Sequence, residues 1–306
     1  MRVLVFHNPS AGHDQLSRDG LTRELQRAGH DVTWLEKGQG GLNEALAGPL
    51  DTVVVAGGDG SVGAVGRELA ARRLPIAILP AGTANNLATI LGATRDNLIQ
   101  RLADGRVVSF DLGVIEGSIP RRLFLEGVGR GPFAETVALL DVLEHRPAPA
   151  GREDELLRDL HALRESVLTS DACECRIDLD GEEVSGKFVM VEITNAGVIG
   201  PNLQLSPGAL PFDGLLDVFL VDVSEREELL KLVTERKANA PPTTAFRTRR
   251  ARRVRFRGPA GQQLHVDGKQ LRHERAVDLR LTLDPSALQF FVPRDMHWKG
   301  AELQIR

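Results

Sequence analysis

Apolar runs alternate, over the first hundred positions, with segments whose apolar residues recur every three or four places, which predicts strands and helices in turn. Arg2-Val3-Leu4-Val5-Phe6 is the first strand, Leu16 to Ala28 has helical spacing with Gly29 placed to cap it, and Asp31 to Leu35 is the second strand. A short helix from Leu42 to Ala47 leads into Thr52-Val53-Val54-Val55-Ala56, whose unbroken apolar run suits a strand covered on both faces. Val62, Val65, Leu69 and Ala70 share one face of a helix over Val62 to Ala71; Pro75 to Pro80 is a fourth strand, and Leu87 to Leu91 restarts a helix. This order predicts a parallel sheet with right-handed crossovers, an α/β domain reaching to about Asp111.

Beyond that point the period changes. Cys173 to Leu179, Gly186 to Thr194, Leu216 to Val223, Arg253 to Phe256, Leu264 to Val266 and Val277 to Leu283 read as short strands separated by glycine, proline or charge. Helical spacing is confined to Thr136 to Leu143, Glu153 to Leu168 and Glu225 to Lys237, the first two interrupted by a proline-rich stretch at 146–151. The domains expected are 1–111 (α/β), 112–285 (mostly antiparallel β, with a helical insert near 136–170) and a tail at 286–306.

Polar and glycine residues gather where the predicted parallel strands end. Gly57-Gly58-Asp59-Gly60-Ser61 follows the third strand and opens onto a helix, so its backbone N–H groups can reach an anion. Ala81-Gly82-Thr83-Ala84-Asn85 repeats the arrangement after the fourth strand. Ligands of such sheets bind beyond the carboxyl ends of the strands. A carboxylate inside a loop shaped for anions needs a reason, and Asp59 calls for a metal, a ribose hydroxyl or a substrate hydroxyl. The spacing is neither that of a Rossmann fingerprint nor of a Walker A loop.

Composition narrows the partners. With 306 residues and a net charge of −4, the chain can bury cores without cross-links, and nothing global points to nucleic acid. Met1 to Phe6 already reads as a strand and no apolar run reaches membrane-spanning length, so a cytoplasmic protein is expected. Cys173 and Cys175 alternate with charged residues, which places both thiols on the buried face of a strand rather than in a metal site. The basic run Arg247, Arg249, Arg250, Arg252, Arg253, Arg255 and Arg257 reads in two ways. It is a peripheral contact with an anionic inner membrane face, or a solvated strand edge with Val254 and Phe256 facing inward.

Asn8-Pro9-Ser10-Ala11-Gly12, the Gly57–Ser61 loop and Pro80–Asn85 resemble the successive nucleotide-binding motifs of the diacylglycerol kinase catalytic family. That family takes in bacterial lipid kinases and sphingosine kinases, with NAD kinases as distant relatives. The similarity continues through Phe124–Gly131, Pro211–Val218 and His265-Val266-Asp267-Gly268-Lys269. It implies a β-sandwich second domain, a tail that returns to the first domain, and nucleotide in the cleft between the two. The implied reaction is transfer of the ATP γ-phosphoryl group to the hydroxyl of a diacylglycerol-like or sphingoid lipid, with Mg²⁺.

By the same resemblance, backbone amides of Gly58, Gly60 and Ser61, with Thr83, hold phosphates, while Asn8 and Asn85 orient nucleotide. Pro9, Gly12, Gly57 and Gly82 belong to the same motifs, and a structural magnesium is implied near Leu210, Asp213 and Leu215. Asp213 and Asp217 read by themselves as residues of a hairpin turn. Asp267 is the first candidate for the base that takes the acceptor's proton, and Asp59 the second. Lys269 stands where relatives carry an acid two places after the late aspartate. That departure keeps two alternatives in view: an ATP-binding regulatory protein without transfer, and a kinase for a soluble acceptor.

Overall fold

The computed structural model describes residues 1–11, 17–70, 72–143, 151–234, 246 and 248–298. Gly12, Arg247 and the starts or ends of three predicted helices (Leu16, Ala71, Lys237) lie outside the described residues. The chain divides into two compact units, Met1–Phe110 with Ser286–Arg306, and Asp111–Pro285.

In the first unit Arg2–His7 pairs in parallel with Asp31–Glu36 on one side and Thr52–Gly57 on the other; Ile76–Pro80 then adds to Thr52–Gly57. Val53 to Ala56 are fully buried, which is why this strand shows no alternation. The end of the Val277–Val292 strand extends the sheet, Phe290 pairing with Ile76. Helices Arg18–Arg27, Leu42–Ala47 and Asp59–Leu69 are the connections, and Leu21, Leu25, Val54 and Leu79 share one core cluster. A further helix, Leu98–Asp104, has no counterpart among the expected elements. Its Arg101 is fully buried and donates to the Ile78 carbonyl (2.6 Å) and Asn97 Oδ1 (2.6 Å); burial pulls its guanidinium down to about 10.

In the second unit the strands run antiparallel. Glu182–Thr194 is the branching strand: its first half pairs with Cys173–Leu179, and its second half lies between Gly127–Arg130 and Leu216–Asp222. Cys173 and Cys175 face the core as the alternation required, beside Ile177, Val218 and Phe256. Helices Pro132–Leu143, Arg152–Thr169 and Arg226–Thr234 cover the other side, where Phe219 and Val221 meet Phe133, Leu163 and Leu229. The strand Leu216–Asp222 therefore buries both faces, Val218 and Leu220 inward to the sandwich and Phe219 and Val221 outward to the helices. Among the described residues no helix is long and apolar enough to cross a membrane.

Candidate active site

In the first unit, parallel register brings three strand ends to one edge. His7 lies beside Ala56 and Gly57 beside Pro80; the Asn8 N–H donates to the Ala56 carbonyl (2.9 Å) and the Ala81 N–H to the Gly57 carbonyl (3.1 Å). The two glycine loops thus leave the sheet side by side. They touch through missing side chains: a Cβ on Gly82 would stand 2.5 Å from the Gly58 Cα, and one on Gly57 would stand 2.6 Å from the Ser61 Oγ. Gly58 at the N-cap has no side chain with which to cap the Asp59–Leu69 helix, so its N-terminus presents backbone and dipole at this edge.

Asp59 has a use that the sequence did not reveal. Its two carboxylate oxygens accept the N–H groups of Asn86 (3.0 Å) and Leu87 (2.9 Å), the first two residues of the helix Asn86–Ile90. That helix is preceded by Asn85 in the left-handed conformation (φ 54°), which gives it no side-chain cap of its own. Asp59 supplies the cap from the neighbouring loop and ties one turn to the other. Asn85 is likewise engaged locally: its Oδ1 accepts the Gly82 N–H (2.9 Å) and its amide donates to the Gly82 carbonyl (2.5 Å). Asn8 Oδ1 accepts the Ser10 N–H (3.3 Å). These three polar side chains shape the loops.

In the second unit, Asp267 and Gly268 form a two-residue hairpin turn with positive φ at both positions (48° and 64°), Val266 pairing with Lys269. The turn aims the carboxylate at a backbone run. Asp267 Oδ1 accepts from Leu125 (3.1 Å), Glu126 (2.9 Å) and Gly127 (3.2 Å), while Oδ2 shares the Leu125 N–H (3.0 Å). Lys269 is exposed on the strand that follows.

Beneath this turn lies a buried pair that sequence reasoning missed. Cross-strand register lines up His265, Gly129 and Glu192 on three adjacent strands. His265 Nε2 is 2.8 Å from Glu192 Oε2, both side chains being inaccessible, and the Gly268 N–H lies 3.4 Å from Nδ1. Gly129 makes the contact possible, since a Cβ there would sit 2.0 Å from the Glu192 carboxylate. Desolvation pushes the Glu192 carboxyl up, against the pull of His265 and Arg130. One acid in the apolar run Val189-Met190-Val191-Glu192-Ile193 was the signal available. Asn195 binds the same region, donating to the Asp111 (2.8 Å) and Leu125 (3.2 Å) carbonyls.

Comparison with known proteins decides the family. Residues 2–115 match the diacylglycerol kinase catalytic domain, and residues 153–292 match the YegS C-terminal NAD kinase beta sandwich-like domain. The amino-terminal domain thus belongs to the diacylglycerol kinase catalytic family and the second to the YegS C-terminal family. It is 28% identical over 305 residues to a diacylglycerol kinase of Mycobacterium tuberculosis (strain ATCC 25618 / H37Rv), covering 96% of each chain. It is 28% identical over 307 residues to a probable lipid kinase YegS-like of Enterobacter sp. (strain 638), again covering 96% of each. The fold is that of a solved putative diacylglycerol kinase from Bacillus anthracis str. Sterne, with a TM-score of 0.73 at 22% identity over 95% of this chain and 96% of that one.

Two expectations drawn from this diacylglycerol kinase relationship or from the basic run meet different geometry. At the turn proposed for a structural magnesium, Asp213 Oδ1 accepts the Leu215 N–H (3.0 Å), the Leu210 carbonyl accepts the Asp213 N–H (3.3 Å), and Asp213 Oδ2 is hydrogen-bonded to Arg250 Nη2. The single carboxylate in this set already holds a cation, so Leu210, Asp213 and Leu215 are a poor donor set for a divalent ion as they stand. The basic run spans two strands, Thr248–Ala251 and Arg253–Gly258, and along it Arg249 pairs with Glu182, Arg253 with Asp180, Arg255 with Asp278 and Arg257 with Glu183. Val254 and Phe256 are buried, and each of these four arginines faces a carboxylate.

Proposed function

We propose that this protein is an ATP- and Mg²⁺-dependent lipid kinase that moves the γ-phosphoryl group to a lipid hydroxyl. The carrying observation is the pair of glycine turns at one edge of the parallel sheet, so close at Gly58 and Gly82 that a Cβ has no room. Backbone amides at the start of the Asp59–Leu69 helix, with Thr83, would hold the phosphates, whose charge Mg²⁺ carried by the nucleotide would offset. Asp59, Asn85 and Asn8 keep those loops in shape. The acceptor oxygen bonds to the γ-phosphorus as the bond to the β-phosphate oxygen breaks and ADP leaves. The hydroxyl proton goes to Asp267, whose Oδ1 takes three amide donors and whose Oδ2 shares one.

For the acceptor, the second unit offers a cavity of about 940 Å³ whose lining includes Ala138, Leu139 and Val142 together with Arg130, Gln270 and Arg272. Leu139 and Val142 are exposed apolar residues of the helical insert, so the cavity suits an amphiphile better than a wholly polar acceptor. Its Gln270 and Arg272 belong to the hairpin whose turn is Asp267. A second reading, an ATP-responsive protein without transfer, draws on the exposed Lys269 in place of an acid.

Incubation with γ-labelled ATP, Mg²⁺ and a lipid panel in mixed micelles, followed by solvent extraction, separates the readings. Label in the organic phase is the expected result. Label confined to water would move the acceptor to the soluble class, and ATP binding without transfer to anything would favour the regulatory reading. A second expectation concerns the glycine contact: Gly82→Ala forces the loops apart. It should weaken binding of a non-hydrolysable ATP analogue at least about tenfold, a loss of roughly 1.4 kcal/mol. Titration calorimetry with unchanged affinity would remove the loops from the nucleotide site.

A further inference from the structure

We infer that Arg250 is the resident cation of the Pro211–Asp217 turn and makes the second unit's fold independent of divalent metal ions. The inference goes beyond the kinase reading and needs no turnover to be tested.

Strand register explains how the arginine arrives. Leu216–Asp222 pairs with Thr248–Ala251, and within that ladder Asp217 lies directly opposite Arg250. The side chain then bridges two carboxylates of different exposure. Its Nε is 3.7 Å from Asp217 Oδ1, and its Nη2 is hydrogen-bonded to Asp213 Oδ2. Asp217 is almost wholly buried, at 3% exposure against 21% for Asp213 and 41% for Arg250. Its Oδ2 is inaccessible and has no hydrogen-bond partner among the described residues, so the guanidinium is the charge that compensates it.

The same turn is held from its other side by backbone geometry. Gly214 sits at φ 74° and donates to Asp111 Oδ2 (2.8 Å), and the Asp111 N–H returns a bond to the Pro211 carbonyl (2.7 Å). Three carboxylates, Asp111, Asp213 and Asp217, therefore converge on one turn, an arrangement that needs positive charge. A guanidinium supplies it permanently, with a planar fork that spans two acceptors and no dissociation constant to satisfy. A divalent ion would have to displace Arg250 from Asp213 before that carboxylate could act as a ligand. Magnesium dependence of turnover would then report the nucleotide complex alone.

The test is thermal unfolding of the full chain without nucleotide, in 10 mM MgCl₂ and in 10 mM EDTA, for the wild type, Arg250→Gln and Asp213→Asn. The wild-type midpoint is expected to be the same in both buffers. Arg250→Gln should unfold at least about 5 °C lower in EDTA, because it leaves the Asp217 carboxylate buried and unpaired. Circular dichroism checks that each variant is folded at the start. If Arg250→Gln does not fold, Asp213→Asn alone should still show a lowered midpoint that MgCl₂ does not change. Two results overturn the inference: a wild-type midpoint that MgCl₂ raises and Asp213→Asn makes insensitive, or an Arg250→Gln midpoint in EDTA equal to the wild type's.

Discussion

Asp267→Asn is expected to lower kcat for lipid phosphorylation by about 10²–10⁴ while moving the unfolding midpoint by no more than a few degrees. The two halves of that expectation come from the two jobs of one carboxylate. Asparagine tolerates the left-handed conformation of the turn and keeps a carbonyl oxygen for the amides of Leu125, Glu126 and Gly127, so the anchor survives. It cannot accept a proton, so the base is lost. Asp267→Ala removes both, leaving buried N–H groups without an acceptor at about 1–3 kcal/mol each, and should fall in stability as well as in rate. Initial rates at saturating ATP and lipid, set beside unfolding midpoints for both variants, check the pair. If Asp267→Asn turns over within tenfold of the wild type, the residue is an anchor only and the base lies elsewhere.

The molecule contains its own comparison for this experiment. Asp180 and Gly181 form another Asp-Gly hairpin turn with positive φ at both positions, and the Asp180 carboxylate accepts the Arg252 and Arg253 N–H groups, each at 2.9 Å. This second turn is exposed and stands outside every motif shared with the family. Amide anchoring is thus a structural habit of the sandwich and does not by itself mark a catalytic residue. Only the motif and the segment being anchored separate Asp267 from Asp180.

That pair shows what could be read from the chain alone. The parallel sheet of the first unit was legible because its central strands are buried on both faces and stay largely apolar, as at Val53 to Ala56. The antiparallel strand Cys173–Leu179 was legible through its alternation, down to both boundaries. Polar side chains that act across strands or loops were not. The Glu192–His265 contact depends on register across three strands, with 73 residues between the partners. Arg250 read as one charge in a basic run, and Asp213 by itself as a residue of a hairpin turn, because nothing local says that two strands will place them together. The elements Leu98–Asp104 and Thr248–Ala251 escaped for a simpler reason: one is a short helix without a side-chain cap, the other a strand with three polar residues in four.

Asp59→Ala is expected to weaken ATP binding roughly a hundredfold, with a much smaller loss of kcat once ATP saturates. The carboxylate makes two charge-assisted bonds to the first amides of the Asn86–Ile90 helix, and losing such a cap costs about 0.5–2 kcal/mol before the second bond is counted. With that bond included, roughly 3 kcal/mol of loop organisation disappears, and each 1.4 kcal/mol is a factor of ten in affinity. Asp59→Asn is the finer probe. Its oxygen can serve either Asn86 or Leu87, but its NH₂ then faces the other N–H, donor against donor, so affinity should fall between wild type and alanine. If Asp59 were instead the group that deprotonates the acceptor, both variants would lose kcat at every ATP concentration and bind nucleotide normally. Calorimetry with a non-hydrolysable analogue measures the first quantity and initial rates across an ATP series the second. The positioning role is abandoned if affinity holds while kcat collapses, because a cap on the Asn86 and Leu87 amides acts on the loops before it can act on the chemistry.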